Sequence, residues 1–145
     1  MSKEKEHMNL HTYLNFGGNC EEAFRFYEKN LGGKIEMMMR YADQPDPKNV
    51  PPGTEKYVLY LNMTIGETQL MGSDVPPERF HPMRSVYLSL GVDSSAEAER
   101  IFKLLSEGGE VFMPMEETFF AHRFGMLRDR FGTSWMILHQ KPMPA

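Results

Sequence analysis

The chain contains very little cysteine and no long apolar run. Cys20 is its only cysteine, so no disulfide can form within the chain, which is usual in the reducing cytoplasm. No stretch approaches the roughly 20 consecutive apolar residues that a membrane-spanning helix needs. Residues 1–7 also lack the apolar region of a signal peptide. We therefore expect a cytoplasmic protein with no membrane partner.

Positive charge is also scarce in this sequence. Sixteen Lys and Arg residues against twenty Asp and Glu residues give a formal net charge of −4. Proteins that bind nucleic acid usually carry a basic surface that neutralises phosphates. We therefore expect no nucleic-acid partner.

Two helical segments in equivalent places indicate an internal duplication. They cover residues 19–33 and 94–109. Each begins at a residue type that commonly caps helices, Asn19 or Ser94, with a glutamate three residues later as in a capping box. Each continues with an apolar stripe at helical spacing and ends at two glycines, the usual left-handed stop. The second segment is one residue longer, so the two registers do not match fully.

Alternating apolar and polar residues predict the same strand order around each helix, one strand before it and three after it. The sequence thus predicts an α+β fold of two tandem βαβββ modules. The predicted boundaries are a tail at 1–8, modules at about 9–73 and 85–140, a proline-containing linker at 74–84 and a tail at 141–145.

A single helix can cover only one face of its sheet. We therefore expect the two modules to form one curved mixed sheet around a cleft, with the helices outside. A concave face of this kind is the usual place for a small ligand. Thirteen methionines, which fill permissive apolar sites, favour the same interpretation.

Three segments of the sequence carry a family resemblance. They are Tyr13-Leu14-Asn15-Phe16-Gly17-Gly18-Asn19-Cys20-Glu21-Glu22-Ala23, Glu117-Thr118-Phe119-Phe120-Ala121-His122 and Asp129-Arg130-Phe131-Gly132-Thr133-Ser134-Trp135-Met136. With the paired modules, they resemble the PhnB-like branch of the vicinal-oxygen-chelate superfamily, which includes glyoxalases, extradiol dioxygenases and fosfomycin- and bleomycin-resistance proteins. The resemblance covers about residues 9–140 and departs at Phe120, where that branch has tryptophan. It implies a homodimer.

Enzymes of this superfamily hold a divalent metal with four side chains, two from each module. His11 matches the first position, while the internal repeat puts Leu70 and Met136 at two others and Ser85 or Tyr87 at the fourth. A leucine offers no lone pair, and a thioether is a poor ligand for hard ions. We therefore expect no standard metal site and no cofactor, with a divalent metal at a nonstandard site as the alternative.

The other histidines show no metal-ligand spacing in the sequence. His81 lies in the linker, His122 lies in the segment before a strand, and His139 ends the last strand. Alternation places His139 on the helix-packed face, together with Trp135 and Ile137. Cys20, at a helix start, is either a reactive thiol or a small buried side chain.

The side chains expected to face the cleft form the candidate site. Strand alternation makes Tyr60, Asn62 and Tyr87 polar contacts, and one of two adjacent aromatics can cap the cleft while the other packs. The predicted ligand-binding set is His11, Tyr13, Tyr60, Asn62, Leu70, Tyr87, Phe119, Phe120 and Met136. His11 is the catalytic candidate, and its plainer interpretation is a hydrogen-bonded strand histidine.

Two functional hypotheses follow from this site. The first is a binding module that takes up a small organic ligand in an apolar cleft. The second is a metal-dependent lyase, isomerase or dioxygenase that uses His11 as base or ligand, aided by Glu117 or His122. Some relatives are labelled demethylubiquinone methyltransferases, but no glycine-rich loop that opens a helix supports a site for the methyl donor.

Overall fold

A computed structural model describes residues 8–142, in which the chain divides into two compact units. The first unit ends at Phe80 and the second begins at His81, within the predicted linker. Of the two predicted tails, residues 1–7 and 143–145 lie outside the described residues. Within residues 8–142, no helix has the length and apolar character needed to cross a membrane.

Both units have the predicted order βαβββ. The first contains β1 (Thr12–Phe16), α1 (Cys20–Leu31), β2 (Lys34–Arg40), β3 (Val58–Ile65) and β4 (Thr68–Asp74). The second contains β5 (Leu88–Gly91), α2 (Ser95–Ser106), β6 (Glu110–Glu116), β7 (Ala121–Arg128) and β8 (Ser134–Gln140). Short 3-10 helices occur at Tyr41–Asp43, Pro47–Asn49 and Pro77–Arg79.

The strands hydrogen-bond as two four-stranded mixed sheets, one in each unit. Their orders are β1-β4-β3-β2 and β5-β8-β7-β6. The first and last strands of each unit are parallel, and the remaining pairs are antiparallel. The parallel pairing is possible because a helix and two further strands intervene between those strands in the chain. The α+β class is confirmed, but the expected single sheet is divided into two hydrogen-bonded sheets.

One face of the first sheet packs against α1. Leu14, Phe16 and Leu61 on this face are buried. The rings of Phe16 and Phe24 meet edge to face, with centres 6.1 Å apart. Gly72 lets the helix approach, because a Cβ atom there would lie 2.6 Å from the Phe24 ring.

The second sheet packs against α2 in the same way. Leu127, Trp135 and Ile137 are buried on its helix-facing side, so the core interpretation of Trp135 is correct. A Cβ atom on Gly125 would lie 2.6 Å from the Phe102 ring of α2. The two units thus use the same device, a strand glycine beneath a helix phenylalanine.

The two helices begin differently, although their sequences match. Ser94 caps α2 as predicted, because its Oγ accepts a hydrogen bond of 3.1 Å from the Glu97 N–H. Asn19 occupies the N-cap position of α1 as predicted, but its side chain makes no cap hydrogen bond, so the capping box predicted there is wrong. The start of α1 is held instead by Asp74, from the end of β4. A residue 54 positions away has therefore taken over a role that local sequence normally supplies.

The two helices also end differently, because the second helical segment is one residue longer than the first. Gly32 follows α1 in the left-handed conformation, with φ of 77°, as predicted. Glu107 follows α2 in an extended conformation, and the left-handed residue is Gly108, one position later. The glycine stop is therefore confirmed for α1 and displaced for α2.

Candidate functional site

The face of the first sheet opposite α1 carries polar and thioether side chains. Across the four strands, Tyr13 lies beside Met71, Met71 beside Asn62, and Asn62 beside Met37. In the adjacent row, Asn15 pairs with Ser73 and Met39 with Tyr60. We call these eight residues the first helix-free face. Because successive strand residues point to opposite sides, the sheet separates them from the α1 core.

Asn62 occupies the middle of this face, and its Oδ1 atom is buried. This oxygen has no hydrogen-bond partner among the described residues. Leaving a buried polar atom unsatisfied costs about 1–3 kcal/mol, and native structures seldom accept that cost without a reason. Asn62 Oδ1 is therefore an acceptor for which residues 8–142 supply no donor.

Neighbouring polar groups on the first helix-free face satisfy one another. The Tyr60 hydroxyl donates to Met71 Sδ at 3.5 Å. The Ser73 hydroxyl donates to Asn15 Oδ1 at 3.0 Å. These contacts fix the positions of the side chains around Asn62.

None of the eight residues carries a formal charge, since they comprise phenols, amides, a hydroxyl and thioethers. The ion pairs of the first unit lie elsewhere, as between Arg40 and Glu21 at 2.8 Å. An ionic ligand would lose its hydration on this face without gaining a countercharge, which is strongly unfavourable. The face therefore suits an uncharged molecule.

Leu70 does not belong to this face, and its predicted place in the cleft is wrong. It pairs with Met63, whose side chain is fully buried against α1, and only 4% of Leu70 is exposed. The β4 residue on the helix-free face is its neighbour, Met71. Leu70 is thus a core residue of the first unit.

The internal repeat equates Leu70 with Met136, but the closing hairpins of the two units differ in register by one residue. The first hairpin closes on the pair Ile65 and Thr68, on the helix side. The second closes on Arg128 and Ser134, on the side opposite α2. The alignment is therefore shifted by one residue, and a shift of one residue reverses the face of every side chain in a strand.

The metal ligands implied by the family resemblance do not fit these positions. His11 is exposed and precedes β1, and Leu70 lies in the core. Met136 pairs with Met126 on the face opposite α2, as predicted, but supplies only a thioether. Within residues 8–142, no group of three or more His, Cys, Asp or Glu side chains is arranged to hold a metal ion.

The remaining aromatic candidates lie in the second unit. Tyr87 meets Phe112 edge to face, with ring centres 6.3 Å apart. Phe120 packs on Phe124 at 5.1 Å, whereas Phe119 is 91% exposed and meets only the Phe120 ring edge to face, at 5.2 Å, among the contacts of the described residues. Of the adjacent pair, Phe120 is therefore the packed ring and Phe119 the exposed one. Of the nine predicted ligand-binding residues, the structure brings Tyr13, Tyr60 and Asn62 together on one face.

A surface cavity of about 710 Å³ lies at the start of α1, and no sequence signal pointed to it. Two of its charged groups are paired with each other: Arg40 bonds Glu21, and this hydrogen bond lowers the pKa of the Glu21 carboxyl. The Asp74 carboxylate already accepts the Gly18 and Cys20 N–H groups that an anion would use. The helix start in this cavity is therefore occupied by a side chain of the protein itself. Its lining is Gly18, Asn19, Glu21, Glu22, Arg40, Ala42, Glu55, Lys56 and Asp74.

Cys20 is fully buried at the start of α1. Burial raises the pKa of its thiol, and the negative charges of Asp74 and Glu21 raise that pKa further. The thiolate is the reactive form, so the buried interpretation is correct and the reactive one is wrong. We expect iodoacetamide at pH 8 to leave the native protein unlabelled and to label it once urea has unfolded it. Mass spectrometry measures both, and rapid labelling of the folded chain would contradict the assignment.

Comparison with known proteins identifies the relatives of this chain. Residues 8–138 match a family model described as 3-demethylubiquinone-9 3-methyltransferase. Protein YjdN of Escherichia coli (strain K12) is 31% identical over 145 residues, covering 94% of this chain and 99% of that protein. Protein PA1353 from Pseudomonas aeruginosa has a crystal structure with 39% identity and a TM-score of 0.84, covering 94% of this chain and 100% of that one.

Two further solved structures extend the comparison. A putative 3-demethylubiquinone-9 3-methyltransferase, PhnB protein, from Bacillus cereus is 27% identical with a TM-score of 0.78, covering 91% of this chain and 99% of that one. A glyoxylase/bleomycin resistance protein/dioxygenase domain from Frankia sp. EAN1pec is 14% identical with a TM-score of 0.64, covering 94% and 100%. The latter likeness is one of fold alone.

Proposed function

This chain belongs to the PhnB-like family of the vicinal-oxygen-chelate fold, and on that premise we propose that it binds a small organic ligand on the first helix-free face. The ligand is uncharged and presents an N–H or O–H donor. The module works without the standard divalent metal of its superfamily. It acts as a cytoplasmic homodimer, as the sequence and its resemblance led us to expect.

The observation that carries the proposal is the buried, unpartnered Oδ1 of Asn62. A ligand donor at this atom would remove the cost of leaving it unsatisfied, so the interaction favours the complex over the free protein. The thioethers of Met37 and Met71 flank Asn62 and adapt their shape to an apolar ligand. Tyr13 lies beyond Met71, and its exposed fraction of 46% leaves ring surface for a planar group.

Methyl transfer is not part of the proposal, despite the description of the matching family. Within residues 8–142, the only helix start that follows paired glycines, at Gly17 and Gly18, is already bonded to the Asp74 carboxylate. A methyl donor that carries its own carboxylate would have to compete with that buried side chain. In the described part of the first unit, the metal-dependent alternative rests on His11, which belongs to no group of three or more His, Cys, Asp or Glu side chains arranged to hold a metal ion. Tyr87, Phe119, Phe120 and Met136 stay predicted contacts.

Substitution of Asn62 by leucine tests the ligand and its site together. Native mass spectrometry of freshly isolated protein identifies a retained compound, and a thermal-shift screen of neutral compounds supplies probes if none is retained. We expect Asn62→Leu to weaken ligand binding about tenfold, which corresponds to the loss of one buried hydrogen bond of about 1.4 kcal/mol. Isothermal titration calorimetry measures this change.

The same variant carries a second signature. Because leucine removes an unsatisfied buried oxygen, the ligand-free Asn62→Leu protein should be as stable as the parent or more stable in urea. Asn49→Leu, the same change at an exposed amide, is the matched control and should alter neither quantity. Unchanged affinity in Asn62→Leu, or a loss of stability without ligand, would show that Asn62 has a structural role instead.

A further inference from the structure

Two histidines that are 17 residues apart in sequence meet in the second unit. The ring centres of His122 and His139 lie 4.7 Å apart, and their planes are inclined by 39°. The antiparallel register pairs Arg123 with His139, and an irregularity between Ala121 and Arg123 brings His122 beside that pair. His122 is exposed and His139 is half-buried, so the two rings are reached from solvent.

The ring separation matches that of two imidazoles bound to one metal ion. With metal–nitrogen bonds of about 2.0–2.1 Å, the ring centres lie roughly 4.5 Å apart at a right angle and roughly 5.3 Å apart at a tetrahedral angle. The observed 4.7 Å is nearer to the right-angled arrangement. Right-angled nitrogen pairs are typical of tetragonal Cu²⁺ and Ni²⁺ sites.

Ser95 fixes the orientation of His139. Its Oγ lies 3.0 Å from His139 Nδ1, at the first residue of α2. When the serine oxygen accepts the Nδ1 proton, Nε2 carries a lone pair and no proton. Metal-binding histidines in general donate their second N–H to a neighbouring oxygen in this way. Ser95 therefore stands where a positioning residue for a metal ligand is expected.

The carboxylates around the two rings are already paired with cations. Glu117 forms an ion pair of 2.8 Å with Lys141. Glu99 lies nearby through its ion pair with Arg123. His122 makes no hydrogen bond that would have to break before it binds an ion, among the contacts of the described residues.

We propose that His122 and His139 form a two-imidazole site for a divalent transition ion, Cu²⁺ or Ni²⁺, with water completing the coordination and Ser95 positioning His139. The site lies in the second unit and uses none of the residues of the proposed ligand-binding face. It also differs from the superfamily's metal site, because neither histidine is among the four positions that the resemblance implies.

The test is a titration of the full, tag-free chain with Cu²⁺, followed by calorimetry and by electron paramagnetic resonance. We expect one equivalent to bind with hyperfine splitting from two nitrogens. His122→Ala changes an exposed side chain, so the fold is retained, and Cu²⁺ binding should weaken at least about tenfold. Ser95→Ala should weaken it less, and Ser95→Thr, which keeps the hydroxyl, should restore it.

His81→Ala is the matched control, because it removes an exposed histidine from the same unit and should leave the titration unchanged. Parent-like Cu²⁺ affinity in His122→Ala would overturn the proposal, as would a spectrum with a single coupled nitrogen. Equal losses in His81→Ala and His122→Ala would place the ion elsewhere on the chain and overturn it as well.

Discussion

Asp129→Ala is expected to lower the free energy of unfolding by about 3–5 kcal/mol, because it leaves three buried donors without an acceptor. Asp129 Oδ1 accepts the N–H groups of Phe131 and Thr133, each at 2.9 Å. Its Oδ2 accepts the indole N–H of Trp135, also at 2.9 Å. Only 3% of Asp129 is exposed, so water cannot replace these bonds in the folded chain. Urea unfolding measures the loss.

Two further variants make the Asp129 prediction specific. Asp129→Asn keeps one oxygen for the two backbone donors but turns an amide NH₂ toward Trp135, so a smaller loss of about 1–3 kcal/mol is expected. Asp93→Ala removes an exposed carboxylate and should be nearly neutral. If Asp129→Ala costs no more than Asp93→Ala, the carboxylate does not hold the β7–β8 turn.

Asp74→Ala is the second variant with a large expected effect, again about 3–5 kcal/mol. Its Oδ1 accepts from the N–H groups of Gly18 at 2.8 Å and Cys20 at 3.0 Å, and its Oδ2 accepts from Val58 N–H at 2.9 Å. One side chain thus joins the end of β4 to the start of α1 and the start of β3. Since domains of this size are stable by about 5–15 kcal/mol, this loss is a large share of the total stability.

Hydrogen exchange separates this role of Asp74 from a general loss of stability. We expect Asp74→Asn to unfold cooperatively still. In this variant the exchange rate of the Val58 amide should rise by a larger factor than the loss of global stability predicts. The β7 and β8 amides of the second unit serve as internal controls and should follow the global change alone. Uniform acceleration throughout the chain would count against the local role.

The elements themselves were predictable because their signals are local. Residues that face the same core recur at the helical period in α1 and α2 and at every second position in the strands. The pattern of apolar residues in a short window is therefore sufficient to predict each element. The repeat of these windows then predicted two βαβββ units. The face opposite α1 followed from the same alternation for Tyr13, Tyr60 and Asn62.

The roles of individual residues such as Asp129 and Asp74 were harder to predict from the sequence. The segment from Asp129 to Trp135 carries the family resemblance, yet its carboxylate is occupied in closing a turn and capping an indole. Asp74 fell within the predicted linker, although it ends β4 and holds the start of α1. A buried carboxylate that bonds backbone N–H groups leaves no periodic trace, so its role is invisible until its partners are located.

The sequence alone determined the α+β class and the order of the elements, because both depend on neighbours within about 20 residues. It also determined the family, through the three segments that carry the family resemblance. Only the tertiary structure decided which way Leu70 points, that the Asn62 oxygen has no hydrogen-bond partner among residues 8–142, and that His122 meets His139. These three facts depend on strand register, and register is set by pairing between segments that are distant in the chain. A shift of a single residue, as between the two closing hairpins, reverses the outcome while leaving every local pattern intact.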